Sequence, residues 1–134
     1  MNINAVKWLK RYPLTFLLTA AIWYLSLFTP PRTPLDDVQF IDKWTHLVMY
    51  GSLTLALWWE DGRARKRPAA WTRAAWIFLC PAAMGGIVEL AQAYCTTNRT
   101  GDLLDFAANA AGSLIGIGIG HCADRIRKGR RHSC

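Results

Sequence analysis

Three short segments carry polar side chains at helical spacing within otherwise apolar surroundings. They read D-K-W-T-H-L-V-M-Y at 42–50, E-L-A-Q at 89–92 and R-T-G-D-L-L-D-F-A-A-N at 99–109. A histidine beside carboxylates can transfer protons, so His46, Glu89 and Asp105 are the candidate catalytic residues. A carboxylate near His46, from Glu89 or Asp42, would favour the imidazolium form.

The remaining polar residues of these segments are candidates for binding a ligand. The cations Lys43 and Arg99 are suited to hold a phosphate or a carboxylate through charge-assisted hydrogen bonds. The candidate binding residues are Asp42, Lys43, Tyr50, Gln92, Arg99, Asp102 and Asn109. No G-x-S-x-G motif or similarly placed nucleophile is present in the sequence. The sequence therefore leaves open whether the protein is an enzyme or a binding protein.

A shared divalent metal is a second interpretation of the same residues. Carboxylate oxygens and one imidazole are ordinary metal ligands, and the sequence offers them at His46, Glu89, Asp102 and Asp105. No single-segment signature such as H-E-x-x-H supports a metal. The sequence does not favour this interpretation, and the cofactor stays unknown.

The segments that position these residues are long and poor in charge. The runs 12–31, 44–59 and 106–123 carry no formal charge, and 74–98 carries only Glu89. A transmembrane helix needs about 20 predominantly apolar residues. The 134 residues therefore predict one all-α domain, an integral membrane bundle of four transmembrane helices. The expected helices are 13–29, 42–60, 70–94 and 102–123, followed by a basic tail at 124–134.

The distribution of basic residues predicts the topology. Thirteen of the 16 Lys and Arg residues precede the first helix, lie around the 60–73 connection or follow the last helix. The positive-inside rule then places both termini in the cytoplasm of a multi-pass inner-membrane protein. The net charge of +7 is explained by this alternation and by contact with anionic membrane lipids, so nucleic-acid binding is not expected. The candidate site residues would lie in the outer leaflet, and the cytoplasmic half should contain almost no comparable groups.

Helical geometry predicts that the polar residues face one another. Asp102, Asp105 and Asn109 fall on one side of the last helix, because residues three and four apart are neighbours on a helix surface. A carboxylate inside the membrane costs about 2.5–3.5 kcal/mol unless it faces protein or water. We therefore expect Glu89 and His46 to meet this side in a pocket that opens outward.

Each of these residues also has a purely structural interpretation. Asp102 can be a helix N-cap and Asp105 a first-turn residue favoured by the helix dipole. Small and amide residues commonly pack or hydrogen-bond between membrane helices, as expected here for Asn109, Gly112, Gly116 and Gly120. His46 can be a core histidine and Tyr50 a packed aromatic residue. Our prediction is that Asp102 is chiefly a cap and Asp105 chiefly a reactant.

Taken together, the three segments resemble the VanZ-like family of small bacterial membrane proteins. The resemblance covers about residues 36–120 and rests on D-K-x-x-H-x-x-x-Y, then E-x-x-Q, then R-x-x-D-x-x-D-x-x-x-N-x-x-G. It carries the family motif onto Asp42, Lys43, His46, Tyr50, Glu89, Gln92, Arg99, Asp102, Asp105, Asn109 and Gly112. The resemblance implies a role in the cell envelope, and the family is named for a member associated with teicoplanin resistance.

Three classes of function agree with these observations. The first is an enzyme or binder for an envelope lipid or a lipid-linked precursor. The second is a scaffold whose buried polar network only specifies helix packing. The third is proton-linked transport, for which four helices are few unless the chain oligomerises. The sequence does not define an oligomeric state.

Overall fold

The computed structural model describes residues 3–28, 40–63, 70–95 and 102–132, and these residues form five helices with no strand among them. The helices are α1 (Ile3–Arg11), α2 (Pro13–Leu27), α3 (Ile41–Asp61), α4 (Ala70–Cys95) and α5 (Leu103–His132). The predicted all-α class is confirmed. Each of the four expected helices corresponds to one of α2 to α5.

Both ends of the chain are more helical than expected. The basic segment before the first apolar run forms α1, which ends because proline disfavours helical backbone at the preceding residue. Tyr12 accordingly leaves the helical conformation, and Pro13 begins α2, where its missing N–H costs nothing. At the other end, α5 continues through the basic segment to His132.

Successive helices from α2 to α5 run in opposite directions, so α3 and α5 run parallel, and these two helices pack most extensively against each other. Glycines make this contact close. A methyl group added at Gly116 would lie 2.6 Å from the carbonyl oxygen of Gly51, and one added at Gly112 would collide with the carbonyl of Leu47. The expected close-packing role of these glycines is confirmed.

A small apolar core lies where α2, α3 and α4 meet. Ile22, Tyr50 and Leu53 are buried at its centre, with Met84 of α4 packed against them. The antiparallel order brings the starts of α3 and α5 next to the ends of α2 and α4. The polar residues of the three sequence segments therefore gather at one end of the bundle.

Two helices are long and apolar enough to cross a membrane, namely α4 and the Leu103–Arg130 part of α5. The apolar helix α2 is shorter, and α3 carries charged residues near both ends. Many large apolar side chains are exposed along the bundle. Exposed aromatic residues occur near both of its ends: Trp8, Trp59, Trp71 and Trp76 at one, and Tyr24, Phe28, Trp44 and Tyr94 at the other.

Candidate functional site

Three helices contribute to a polar cluster at the end of the bundle where α3 and α5 begin. We call it the His46 cluster, and it consists of Lys43, His46, Glu89, Asp102, Asp105 and Asn109. His46, Glu89, Asp105 and Asn109 are buried, although three of them are ionisable. The structure thus brings together all three residues predicted to be catalytic.

His46 is held by an amide. Its Nδ1 lies 2.9 Å from Oδ1 of Asn109, and Nδ2 of Asn109 points towards Oε1 of Glu89 at 3.5 Å. An amide oxygen only accepts hydrogen bonds, so Nδ1 of His46 is the donor in this pair. In the neutral imidazole, Nε2 then carries a free lone pair, and the nearest carboxylate to it is Oδ2 of Asp105 at 4.0 Å.

The carboxylate of Glu89 is only loosely satisfied. Besides Asn109, its donor is the backbone N–H of Asp102, 3.2 Å from Oε2. Nδ1 of His46 lies 3.8 Å from Oε1, beyond hydrogen-bond distance. This position next to the start of α5 is favourable for a negative charge because of the helix dipole.

Lys43 joins α3 to the start of α5. Its ammonium group lies 3.0 Å from Oδ2 of Asp102 and 3.1 Å from Oδ1 of Asp105. Asp102 also accepts a hydrogen bond from the N–H of Leu104 at 2.9 Å, so its predicted N-cap role is confirmed. The Leu104 N–H and then the Lys43 ammonium hold the pKa of Asp102 below its usual range.

A tyrosine lies one helical turn from His46. Tyr50 is completely buried, and its hydroxyl has no hydrogen-bond partner among the described residues. Its ring and Asn109 both approach Gly85, where an added methyl group would lie 3.2 Å from Cε1 of Tyr50 and 3.0 Å from Nδ2 of Asn109. Gly85 therefore makes the space in which these two polar side chains meet.

Two further predicted binding residues, Asp42 and Gln92, do not belong to this cluster. Asp42 was expected among the binding residues near His46, but its side chain is exposed and forms no hydrogen bond or ion pair with a described member of the cluster. Gln92 is buried and donates to the carbonyl oxygen of Ser26 on α2 at 3.1 Å, so it ties two helices together. Arg99 lies outside the described residues.

The opposite end of the bundle contains a second polar cluster, contrary to the expectation that this half would hold almost none. This Arg73 cluster consists of Tyr12, Trp58, Glu60, Asp61, Arg73 and Asp124. Arg73 donates to Asp61 at 2.9 Å, to Asp124 at 3.2 Å and to the carbonyl oxygen of Trp58. Its guanidinium carbon also lies 4.0 Å from the centre of the Trp58 ring.

Glu60 completes this second cluster as a cap for another helix. Its carboxylate accepts from the N–H of Leu14 at 2.8 Å, the N–H of Thr15 at 3.1 Å and the hydroxyl of Thr15 at 2.8 Å. These N–H groups are unpaired at the start of any helix, so Glu60 replaces the side-chain cap that Tyr12 cannot supply. A signal existed in the sequence: Glu60 follows His46 by 14 residues, close to four full turns, and so lies on the same side of α3.

An apolar groove of about 560 Å³ between α4 and α5 leads to the His46 cluster. Gly86, Leu90 and Phe106 are among the residues that line it, and Glu89 and Asp102 lie at its polar end. The groove thus offers an apolar surface and two carboxylates to one ligand.

Among the described residues, one set has the composition and spacing of a metal site. One ligand atom each from His46, Glu89 and Asp105 lies within 4.8 Å of the others.

No profile of a known protein family, no curated protein and no solved structure matches this chain.

Proposed function

We propose that this chain is a VanZ-like protein of the bacterial inner membrane, in which α2 to α5 cross the bilayer and the His46 cluster binds a lipid or lipid-linked envelope precursor at the outer leaflet. The length and composition of α4 and α5 support membrane insertion. The exposed aromatic residues near both ends of the bundle also support it, since Trp and Tyr are enriched at both membrane interfaces. The charged residues near both ends of α3 are compatible with a transmembrane helix because Lys43 and Asp61 form hydrogen bonds with neighbouring helices.

The distribution of charge supports an outward-facing His46 cluster. Basic residues surround the Arg73 end of the bundle, in α1, at Arg63 and in the last turns of α5. Reporter fusions should place the 95–101 connection outside and the carboxyl terminus inside. The opposite result would move the His46 cluster to the cytoplasmic leaflet.

The observation that carries the lipid proposal is the groove between α4 and α5. Its walls are almost entirely apolar, so an acyl or prenyl chain lying along Leu90 and Phe106 would be removed from water along its length and would bring its head group to Glu89 and Asp102. The groove volume lies within the range of about 300–1,000 Å³ that is usual for ligand pockets.

Filling the groove tests this proposal. Gly86→Phe adds a ring inside the groove, where only Phe106 is within 4 Å of the added carbon. Gly118→Phe is the matched control, because Gly118 is exposed on α5 with nothing within 4 Å. We expect native mass spectrometry of the purified protein to show lipid adducts that Gly86→Phe loses and Gly118→Phe retains. Equal lipid retention in the two variants would contradict the proposed groove.

The role of the cluster itself is tested by substituting two of its members. Glu89→Gln and His46→Ala should fail to complement the envelope phenotype of a deletion strain, including its altered teicoplanin susceptibility, while the protein still inserts and remains helical. Asp42→Asn removes an exposed carboxylate from the same end and should complement the deletion as the unaltered protein does. Loss of folded protein in the first two variants would favour the scaffold interpretation.

Proton-linked transport is the second candidate, and one observation favours it. The hydroxyls of Tyr50, Thr54 and Ser113 are buried in the part of the bundle between the two polar clusters, and no described residue is their hydrogen-bond partner. They offer sites for protons between the ends. Proteoliposomes containing a pH-sensitive dye should show proton flux that Thr54→Val and Ser113→Ala reduce, and an absence of flux in the unaltered protein would rule this candidate out.

A further inference from the structure

We infer that the His46 cluster is a divalent-metal site, in which His46, Glu89 and Asp105 bind a transition-metal ion such as Zn²⁺ or Mn²⁺. The metal site would share Glu89 with the polar end of the groove and would add His46 and Asp105, which are buried between the helices. The inference goes beyond lipid binding and does not depend on it, since the ion can be measured without any lipid.

The first argument is the arrangement of hydrogen-bond acceptors. Asn109 accepts a hydrogen bond from Nδ1 of His46, so the lone pair of the neutral imidazole is on Nε2. This lone pair and the carboxylate oxygen Oδ2 of Asp105 are both hydrogen-bond acceptors, and the two atoms lie 4.0 Å apart. Both side chains are largely buried, at 3% and 10% exposure. Two acceptors enclosed in this way are stabilised by a cation between them.

The second argument is the charge of the cluster. The ammonium group of Lys43 is paired with the half-exposed carboxylate of Asp102 and the buried carboxylate of Asp105, whereas the buried carboxylate of Glu89 has no Lys or Arg partner among the described residues. Buried charges are ordinarily paired or coordinate metals. A divalent ion supplies the missing charge.

The third argument is the unpartnered hydroxyl of Tyr50. Tyr50 is completely buried one turn below His46, and its ring lies beside the amide of Asn109 at Gly85. Three protein ligands leave at least one position on an ion for water or a ligand oxygen. A group bound at that position would give the Tyr50 hydroxyl the hydrogen-bond partner that the described residues do not provide.

The types of ligand atom also fit a transition-metal ion. One imidazole and two carboxylates suit Zn²⁺ or Mn²⁺, whereas Mg²⁺ and Ca²⁺ prefer oxygen ligands alone. The ligand atoms lie within 4.8 Å of one another, and carboxylate rotation would bring them to metal bond lengths of about 2.0–2.2 Å. Asn109 would orient the imidazole through its second nitrogen, as groups behind metal-bound histidines commonly do.

The experiment uses the full chain in detergent, after treatment with a chelator. Serine replaces the four cysteines and glutamine replaces His121 and His132 in the parent protein, so that adventitious ligands are removed. Zn²⁺ is then added, the protein is desalted, and the bound zinc is measured by mass spectrometry. We expect about one ion per chain, as in three-ligand zinc sites, and binding reduced to background by Glu89→Gln and Asp105→Asn.

The matched control is Asp42→Asn, which makes the same change as Asp105→Asn on an exposed carboxylate near the same end. It should bind as much zinc as the parent. Asn109→Ala should weaken binding by about 10–100-fold, measured by competition with a chromophoric chelator. Equal zinc content in Asp105→Asn, Glu89→Gln and Asp42→Asn would overturn the proposal, as would the absence of bound zinc in the parent.

A second measurement covers variants that fail to fold. X-ray absorption at the zinc edge of the parent protein should show one imidazole together with oxygen ligands, and an all-oxygen shell without imidazole would overturn the proposal. Zinc binding without lipid adducts would leave the metal site standing and contradict the groove. Lipid adducts without zinc binding would support the groove and contradict the metal site.

Discussion

The two polar clusters of this bundle contain similar groups but satisfy them differently. In the Arg73 cluster, Glu60 accepts three hydrogen bonds of 2.8–3.1 Å and the guanidinium of Arg73 uses all three of its nitrogens. In the His46 cluster, Glu89 accepts two long hydrogen bonds, of 3.2 and 3.5 Å, and Nε2 of His46 lies 4.0 Å from Oδ2 of Asp105, beyond hydrogen-bond distance. The first arrangement fixes helices in place, whereas the second has capacity left for a ligand.

This contrast explains why burial alone does not identify a functional site. Glu60 is more deeply buried than Glu89, at 1% against 8% exposure, yet its position at the start of α2 accounts fully for its charge. An ionisable group within a membrane protein is a functional candidate by default, but that default weakens once every oxygen has a donor. The unsatisfied groups, and not the buried ones as such, distinguish the His46 cluster.

The largest effect should come from removing the centre of the Arg73 cluster. Arg73→Met leaves Asp61 and Asp124 without their shared partner, and breaking such a buried ion pair costs about 3 kcal/mol or more. The free energy of unfolding, measured by titrating mixed micelles with SDS and following helicity, should fall accordingly. Arg125→Met is the control, since Arg125 is exposed, and it should change the unfolding free energy little. Equal losses in the two variants would remove the distinction between the clusters.

The same substitution made once in each cluster gives the sharpest comparison. Glu60→Gln puts an NH₂ group against donors, so we expect a loss of about 2 kcal/mol in unfolding free energy. Glu89→Gln removes a poorly compensated charge and should change stability by less than about 0.5 kcal/mol or raise it. Glu89→Gln should nevertheless fail to complement the envelope phenotype of a deletion strain. A stability loss at Glu89 equal to that at Glu60 would show that both clusters are structural.

Two tyrosine substitutions extend the comparison to neutral groups. Tyr50→Phe removes a buried hydroxyl that has no hydrogen-bond partner in the described part of the chain, so the metal-free protein should gain about 1 kcal/mol of stability. Tyr12→Phe removes a hydroxyl that donates to Asp61 at 3.3 Å and should instead cost about 0.5 kcal/mol. The SDS titration measures both changes. If Tyr50→Phe destabilises the metal-free protein, the hydroxyl has a structural partner and the third argument for the metal site fails.

The smallest expected effect is a pH dependence at Asp102. Its pKa is held below the usual aspartate range by the Leu104 N–H and by Lys43, so its ionised form binds better in the folded protein. The stabilisation is therefore complete above the ordinary pKa, about 4, and is lost as the pH falls through the lower folded value. Asp102→Asn keeps the cap and removes the charge, so its stability should vary less with pH below about 4. An unchanged pH profile would contradict a lowered pKa at Asp102.

The His46 cluster was predictable because its residues repeat at helical spacing. His46, Glu89, Asp105 and Asn109 were expected to face one another, and they do so because each lies on the buried side of its helix. Asp42 was expected with them, but the helix turns it to the exposed side. The Arg73 cluster was not predicted, since the basic residues around the 60–73 connection were interpreted only as determinants of membrane topology.

The sequence by itself determined the all-α class, the four main helices and the polar residues that meet at the start of α3 and α5. These follow from hydrophobic runs and helical periodicity, which are local properties of the chain. Only the tertiary structure decided which charged groups are satisfied, because hydrogen bonds between helices depend on distances that no single segment contains. The hydrogen bonds therefore distinguish Glu60, whose carboxylate caps the start of α2, from Glu89, whose carboxylate accepts only weakly from Asn109 and can still bind a ligand.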